Sequence, residues 1–267
     1  EYVDLPALLT VEDALAAGAE VAEPVQWTEG DPDAAIAAAP HRATVRLRTG
    51  SQEHFYLEGQ IAMAVPHEDG DMMVYSSTQG PAHVQAAVAE VLGVPFNTVT
   101  VENRRMGGGF GGKETQCGQY AVIAALVAQK TGRPAKLRLD RDDDIITTGK
   151  RHPFVMSYDV GFDDDGRILG VDILHAVDCG YAAELSEAVA RRGMYHADGA
   201  YYLENVRITT RHCLTNKQSF TAFRGFGGPQ GAAGIEQVIE EIARRLGKDP
   251  LDVRNVNRYG VDERNVT

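Results

Sequence analysis

The stretch Met106-Gly-Gly-Gly-Phe-Gly-Gly-Lys-Glu114, with Tyr120-Ala-Val-Ile-Ala-Ala-Leu-Val-Ala-Gln-Lys130 just beyond it, decides how this chain is read. Five glycines occupy six positions around Phe110. Glycine loses more backbone freedom on folding than any other residue, so such a cluster belongs where φ must be positive or where a Cβ would collide with something close by. The run that follows has the pattern of a buried helix. The glycine amides are therefore expected to leave a helix N-terminus and face an anionic or strongly dipolar group. The plainer alternative is a tight turn packed on a sheet, with Glu114 an ordinary acidic residue near a helix start.

Around this segment, strands and helices interleave. Thr44–Arg48, Gln60–Val65 and Met72–Tyr75 read as short strands. Val84, Ala87, Val88, Val91 and Leu92 share one helical face that Gly93 ends, and Thr98–Val101 is the next strand. The helix after the glycine loop stops at Thr131-Gly132, and Ala135–Leu139 resumes a strand pattern. Phe154–Phe162 and Ile168–Val177, joined by Asp163-Asp-Asp-Gly166, form a long hairpin. Pro229 opens a helix with Ile235, Val238, Ile239, Ile242 and Leu246 on one face, and Asp249-Pro250 caps another. Thr10-Val-Glu-Asp13 starts a short helix, whereas the Ala-, Pro- and acid-rich stretch from Ala19 to Ala39 reads as a connector. The fold class expected is α+β, with mixed sheets, antiparallel hairpins and packed helices. The division expected is 1–20 as the tail of a preceding small α/β domain, 21–42 as connector and 43–267 as one domain.

Composition narrows the function classes. The 267 residues are 43% apolar, enough for a sizeable core, and carry a formal net charge of −12. That balance argues against a nucleic-acid partner, because neutralising phosphates needs a basic face. No segment has the length and apolarity of a membrane span, so no membrane role is expected. Cys117, Cys179 and Cys213 are odd in number and widely spaced, which suits a reducing compartment and makes the cytoplasm the expected location. The chain opens at Glu1 without methionine and reads as a piece of something longer.

The glycine loop nearly matches a phosphate-binding loop, with Gly107, Gly112 and Lys113 in place. Glu114 breaks the match, because a carboxylate there repels phosphate where a hydroxyl should meet Mg²⁺. A phosphate-binding enzyme is disfavoured but stays open. A second cluster, Thr221-Ala-Phe-Arg-Gly-Phe-Gly-Gly-Pro-Gln230, also precedes a helix, and Arg224 and Phe226 would share a side of an extended segment. The alternative is a loop whose aromatics fill core space. No histidine or cysteine spacing suits a protein-ligated metal, so any metal must arrive inside a cofactor. The acidic run Asp140–Asp144 reads as a solvated turn.

Five motifs, Glu53-His-Phe-Tyr-Leu-Glu58, Ser76-Ser-Thr-Gln79, Arg105–Glu114, Gly149-Lys-Arg-His-Pro153 and Thr221–Gln230, taken in that order, closely resemble the xanthine dehydrogenase/oxidase family of molybdenum hydroxylases. The resemblance runs from about residue 40 to nearly the end. It implies the first of two domains that hold a molybdopterin-type molybdenum cofactor, whose oxo- and sulfido-bearing metal is bound by dithiolene sulfurs rather than by side chains. By position it implies that Gln79 approaches an apical ligand of the metal, that Gly109 and Phe110 supply amides near the oxo group, and that Arg224 contacts the cofactor. It puts Glu114 and a loop arginine, here Arg192, on either side of a purine, with Phe226 stacked on the ring.

Glu114 and Arg192 together favour hypoxanthine or xanthine over an aldehyde. An aldehyde oxidase-type or other N-heterocycle hydroxylase, and a cofactor-free scaffold of the same fold, remain the alternatives. The family's general base lies in a Gly-Glu-Pro triplet that does not occur here. The resemblance thus implies partners: the remaining half of the molybdenum subunit, and iron-sulfur and FAD domains or subunits. The chain by itself is expected to be inactive.

Overall fold

The computed structural model describes residue 3 and residues 5–260; Glu1, Tyr2, Asp4 and 261–267, on which parts of the expected first and last domain boundaries fall, lie outside them. In chain order the first elements are α1 (Val11–Ala17), β1 (Glu20–Glu29), α2 (Pro32–Ala38), β2 (His41–Thr49), β3 (Ile61–Pro66), β4 (Met72–Ser76), α3 (Pro81–Leu92) and β5 (Val99–Glu102). There follow α4 (Cys117–Thr131), β6 (Ala135–Arg138), α5 (Arg141–Thr147), β7 (Phe154–Phe162), β8 (Ile168–Gly180), α6 (Ser186–Tyr195), β9 (Val206–Leu214), α7 (Gly228–Leu246) and α8 (Pro250–Asn257). The elements fall into two compact units, one of Glu1–Ser51, His152–Lys217 and Gly225–Thr267, the other of Gln52–Arg151 and Gln218–Arg224.

The first unit is built on a five-stranded sheet in the order β1-β9-β8-β7-β2. β7 and β8 are the expected antiparallel hairpin, while β8 and β9 run parallel. Alternate residues Phe154, Met156, Tyr158 and Val160 of β7 are buried and join Ile235, Val238, Ile239 and Ile242 of α7 in one core. At Gly234 the helix has no room for a side chain, because a Cβ would lie 2.6 Å from Tyr158 Cζ and closer still to its Oη.

Residues 21–42 are not a connector. They hold most of β1, α2 and the start of β2. β1 pairs antiparallel with β9 at the sheet edge, and Pro24 sits where the register shifts between Ala22 and Val25. An edge position with a bulge tolerates a proline, and the strand's largely exposed residues hide the alternation that would have marked it. α2 is capped by Asp31, whose side chain accepts from Ala34 N, and has Pro32 in its first turn.

The second unit has a four-stranded sheet, β5-β4-β3-β6, with β3 antiparallel to β4 and β6 and β4 parallel to β5. α3 makes the crossover between β4 and β5, as the strand-helix-strand pattern requires. Ala121, Ala124, Ala125 and Ala128 of α4 form a stripe of small residues that packs with Ala62, Ala64, Val74 and Val88. The acidic run is not a solvated turn. Asp140 caps α5 by accepting from Asp143 N, and Asp144 is buried, accepting from Tyr56 Oη at 2.7 Å and Gln60 N at 2.6 Å. A seven-residue helix is too short to announce itself by periodicity.

Candidate functional site

Four of the five sequence motifs, and the first four residues of the fifth as far as Arg224, meet within the second unit, with only His152 and Pro153 of the fourth outside it. The glycine loop lies on the backbone of residues 222–224. Arg224 N donates to Phe110 O at 2.9 Å, and a Cβ on Gly111 would come within 2.6 Å of Ala222 O. Gly112 is held as tightly, since its Cβ would lie 2.8 Å from the His54 ring. His54 Nε2 donates to Ala222 O at 2.7 Å, and burial holds this imidazole below its ordinary pKa and so neutral near pH 7. Arg151 spans the same corner, with Nε donating to Gln52 Oε1 at 2.6 Å, an NH2 group donating to Arg224 O at 2.9 Å and its guanidinium 4.0 Å from the Phe223 ring centroid. Phe110 and Arg224, widely separated in sequence, are therefore neighbours.

Inside the loop the backbone turns through positive φ at Gly108 (98°), Phe110 (54°) and Gly111 (103°). A phenylalanine in that region is strained, and such strain persists only where the surroundings over-determine it. Gln79, which is exposed, fixes the turn by accepting through Oε1 from Gly111 N at 2.9 Å and Lys113 N at 3.3 Å. Gly112 N donates to Gly109 O at 2.8 Å. The amides of Gly108, Gly109 and Phe110 have no acceptor among the described residues, nor has Gln79 Nε2. Three successive free N–H groups in a turn of this kind make an anion-binding concavity.

These amides do not leave a helix N-terminus as expected: α4 begins only at Cys117, so the loop's own geometry presents them. A cavity of about 680 Å³ in this unit is bordered by Glu58, Ser77, Arg105 and Lys136 but not by Gln79, Gly109, Phe110 or Arg224. Phe110 stands half exposed beside the free amides, and the Arg224 side chain is exposed with no partner among the described residues.

Lys113 removes the phosphate-loop reading. Its side chain is fully buried, with Nζ donating to Glu58 O at 2.6 Å and Ser77 Oγ at 2.9 Å. A lysine turned inward in this way cannot reach a phosphate on the loop. Glu114, next in the chain, is half-buried.

The other assigned residues belong to the first unit. Phe226 is partly buried against its core and has φ 50°, followed by Gly227 at φ 95°, the same backbone pair as Phe110 and Gly111. Gly227 is packed so closely that a Cβ would strike Val189 O of α6. Arg192 is not on a loop: it lies in the last turn of α6, exposed and without an ion-pair partner among the described residues. Ser-Glu-Ala-Val-Ala-Arg-Arg, with Val189 and Ala190 buried on one side, is a short amphipathic helix that continues through Gly193 to Tyr195.

Glu58, Ser77 and His54 stand in the sequence motifs, but the sequence alone assigns them no role. Their contacts with the loop, Glu58 with Gly107, Ser77 with Lys113 and His54 with Gly112, each span more than thirty residues of sequence, which no local pattern can reveal. Among the described residues no group of three or more His, Cys, Asp or Glu is placed to hold a metal ion, and all three cysteines are buried free thiols. What the loop offers instead is a set of aimed dipoles, suited to a negatively charged or oxo-bearing group that brings its own ligands.

A family model described as molybdopterin cofactor-binding domain matches residues 15–258. This chain belongs to that family. It is 42% identical over 259 residues to xanthine dehydrogenase/oxidase of Mus musculus and 43% identical over 261 residues to xanthine dehydrogenase of Drosophila subobscura, in each case over 97% of this chain. The chain spans 19% of the length of each of these curated relatives. Among solved structures, the aldehyde oxidoreductase of Desulfovibrio desulfuricans superposes with a TM-score of 0.89 at 26% identity, covering 98% of this chain and 30% of that one. The α+β architecture is thus that of a molybdopterin-binding domain. The residues present fit the group: free amides at Gly108, Gly109 and Phe110 and the Gln79 carboxamide supply donors, and a cofactor whose sulfurs hold the metal needs no protein ligand set.

Proposed function

We propose that this chain forms part of the molybdenum-cofactor and purine-binding region of a xanthine dehydrogenase-type oxidoreductase that hydroxylates hypoxanthine or xanthine at a ring carbon, with water as the oxygen source. The observation that carries the reading is the run of acceptor-free amides at Gly108–Phe110 beside the free amide nitrogen of Gln79. The group that would bind there supplies two-electron oxidation of a heteroaromatic carbon. The backbone donors of residues 108–110 would hold its oxygen-bearing face, already oriented and needing no rearrangement as negative charge grows. Gln79 Nε2 would donate from the side, its Oε1 already fixed by Gly111 and Lys113. Arg224 would contact the same group through its free guanidinium.

For the substrate, Glu114 would hydrogen-bond a ring nitrogen or carbonyl edge and hold the reacting carbon in place, which can account for a large part of a rate enhancement. Arg192 would stabilise the negative charge that hydroxylation pushes onto the heterocycle, and Phe226 would stack on the ring. The higher identity to xanthine dehydrogenases, 42–43% against 26% for the aldehyde oxidoreductase, favours a purine over an aldehyde. The general base, the iron-sulfur clusters and FAD would be supplied by polypeptide outside this sequence, so the chain alone would be inactive. The expected location is the cytoplasm; among the described residues no helix is long and apolar enough to cross a membrane.

The test is kinetic, in the complete enzyme. Arg192→Met should lower purine turnover by about 100–1000-fold, the scale for loss of one charge-stabilising group, with molybdenum content near that of the wild type. Glu114→Val should weaken purine use more than aldehyde use. Unchanged purine kinetics in Arg192→Met would remove its role, and equal losses on both substrates in Glu114→Val would point to a folding defect. A wild-type enzyme that purifies without molybdenum or pterin would end the proposal.

A further inference from the structure

We propose that Lys113, buried and out of reach of any ligand, is the positioning residue that keeps the glycine loop in its anion-facing shape. The loop-geometry half of this inference stands on contacts within the second unit; only its consequence for cofactor retention rests on the function proposed above.

A fully buried ammonium is tolerable only if every donor is matched and an opposite charge is close. Lys113 meets both conditions. Its three donors are taken by Glu58 O at 2.6 Å, Ser77 Oγ at 2.9 Å and Glu58 Oε2 at 3.4 Å, and the Tyr56 ring centroid lies 4.6 Å from Nζ. Burial draws the Lys113 pKa below its ordinary value, and the Glu58 carboxylate opposes that pull. Burial also works against ionising Glu58, but the hydrogen bonds from Ser77 and Gly107 and the Lys113 charge outweigh it and leave that carboxyl below its usual range.

Glu58 is also bound to the other end of the loop. Gly107 N donates to Glu58 Oε2 at 2.9 Å, and Glu58 N donates to Gly107 O at 3.1 Å. The first and last residues of the segment 107–113 are therefore tied to one residue, and Ser77 Oγ closes the triangle by donating to Glu58 Oε2 at 2.5 Å. Between these anchors lie the positive-φ residues Gly108, Phe110 and Gly111 and the three acceptor-free amides. At its own backbone Lys113 also ties in Gln79, accepting from Gln79 N at 2.7 Å and donating to Gln79 Oε1 at 3.3 Å. A methionine would fill nearly the same volume. Only an ammonium can join a backbone carbonyl, a hydroxyl and a carboxylate at one point, and that is the reason a charge stands in this core.

The experiment is hydrogen exchange on the full-length protein carrying Lys113→Met, Glu58→Gln, both changes together, or the control Val88→Ala, a core truncation in α3 that leaves the loop contacts alone. In Lys113→Met the amides of Gly107, Gly111 and Lys113 should exchange at least about tenfold faster relative to those of α4, the scale set by losing hydrogen bonds to a charged group. Molybdenum content should fall several-fold, whereas Val88→Ala, though less stable, should keep both its loop protection and its metal. Glu58→Gln retains the side-chain volume, should reproduce the faster loop exchange, and carries the test if Lys113→Met does not fold. The double variant should be no worse than the more affected single one. Loop protection unchanged in the folded variants, or lost equally in Val88→Ala, overturns the proposal. A wild-type protein without molybdenum would sink the cofactor reading while the exchange pattern still judges Lys113.

Discussion

Replacing Gly109 by alanine is a steric test of how the loop is held. Gly109 is not among the positive-φ residues, so alanine meets no backbone strain there. Its Cβ, however, would lie 2.8 Å from Gln79 Cδ and 2.9 Å from Cγ, and would overlap Oε1. The glutamine must swing away, and the amides of Gly111 and Lys113 lose their shared acceptor. Two hydrogen bonds at about 0.5–1.5 kcal/mol each amount to roughly 1–3 kcal/mol. Against that stands a gain of about 0.4–1 kcal/mol from restricting the unfolded chain. The net expectation is a loss of about 1–2 kcal/mol.

The decisive comparison adds Gln79→Ala. In that background the clash has gone and the two bonds are already lost, so Gly109→Ala should now stabilise by about 0.4–1 kcal/mol. The sign of one substitution thus reverses with the presence of one side chain. Urea denaturation of the four proteins, with midpoints compared at constant m-value, measures the cycle. Equal costs of Gly109→Ala with and without Gln79 would refute the geometry. In the assembled enzyme Gly109→Ala should also lower molybdenum content, because Gln79 is displaced from the face it is proposed to present.

Two further outcomes concern the first unit. Burial pushes the His175 pKa from 6.5 down to about 4. As pH falls below 6.5 the unfolded chain takes up a proton that the folded one refuses until about pH 4, so stability is lost across that window by roughly 3 kcal/mol in total. His175→Gln should flatten the acid limb of a stability-versus-pH curve, and an unchanged limb would refute the assignment. Gly234→Ala, ordinarily favourable by about 1 kcal/mol in a helix interior, should instead destabilise by about 1–3 kcal/mol because it drives into Tyr158. Thermal midpoints decide this, and adding Tyr158→Phe should recover part of the loss.

Much of the fold was legible in sequence because its signals are local. Alternation marked β7 and β8, a single apolar face marked α7, and Gly93, Gly132 and Gly247 each end a helix in the left-handed conformation. β1 and α2 escaped notice because an edge strand with a proline bulge and a seven-residue alanine-rich helix carry neither alternation nor a long apolar face. α5 reads as a turn in sequence because the burial of Asp144 depends on Tyr56 and Gln60, more than eighty residues away.

By itself, then, the sequence determined where glycine had to stand, which faces were apolar, and the motif order that marks the family. Short-range sterics and hydrophobic periodicity leave their record along the chain. Tertiary structure decided which amides of the loop remain free, that Lys113 turns inward, that Arg192 rides on a helix, and that Phe110 and Arg224 touch. Each of these depends on which distant residue takes which hydrogen bond, and the linear spacing of residues does not encode that.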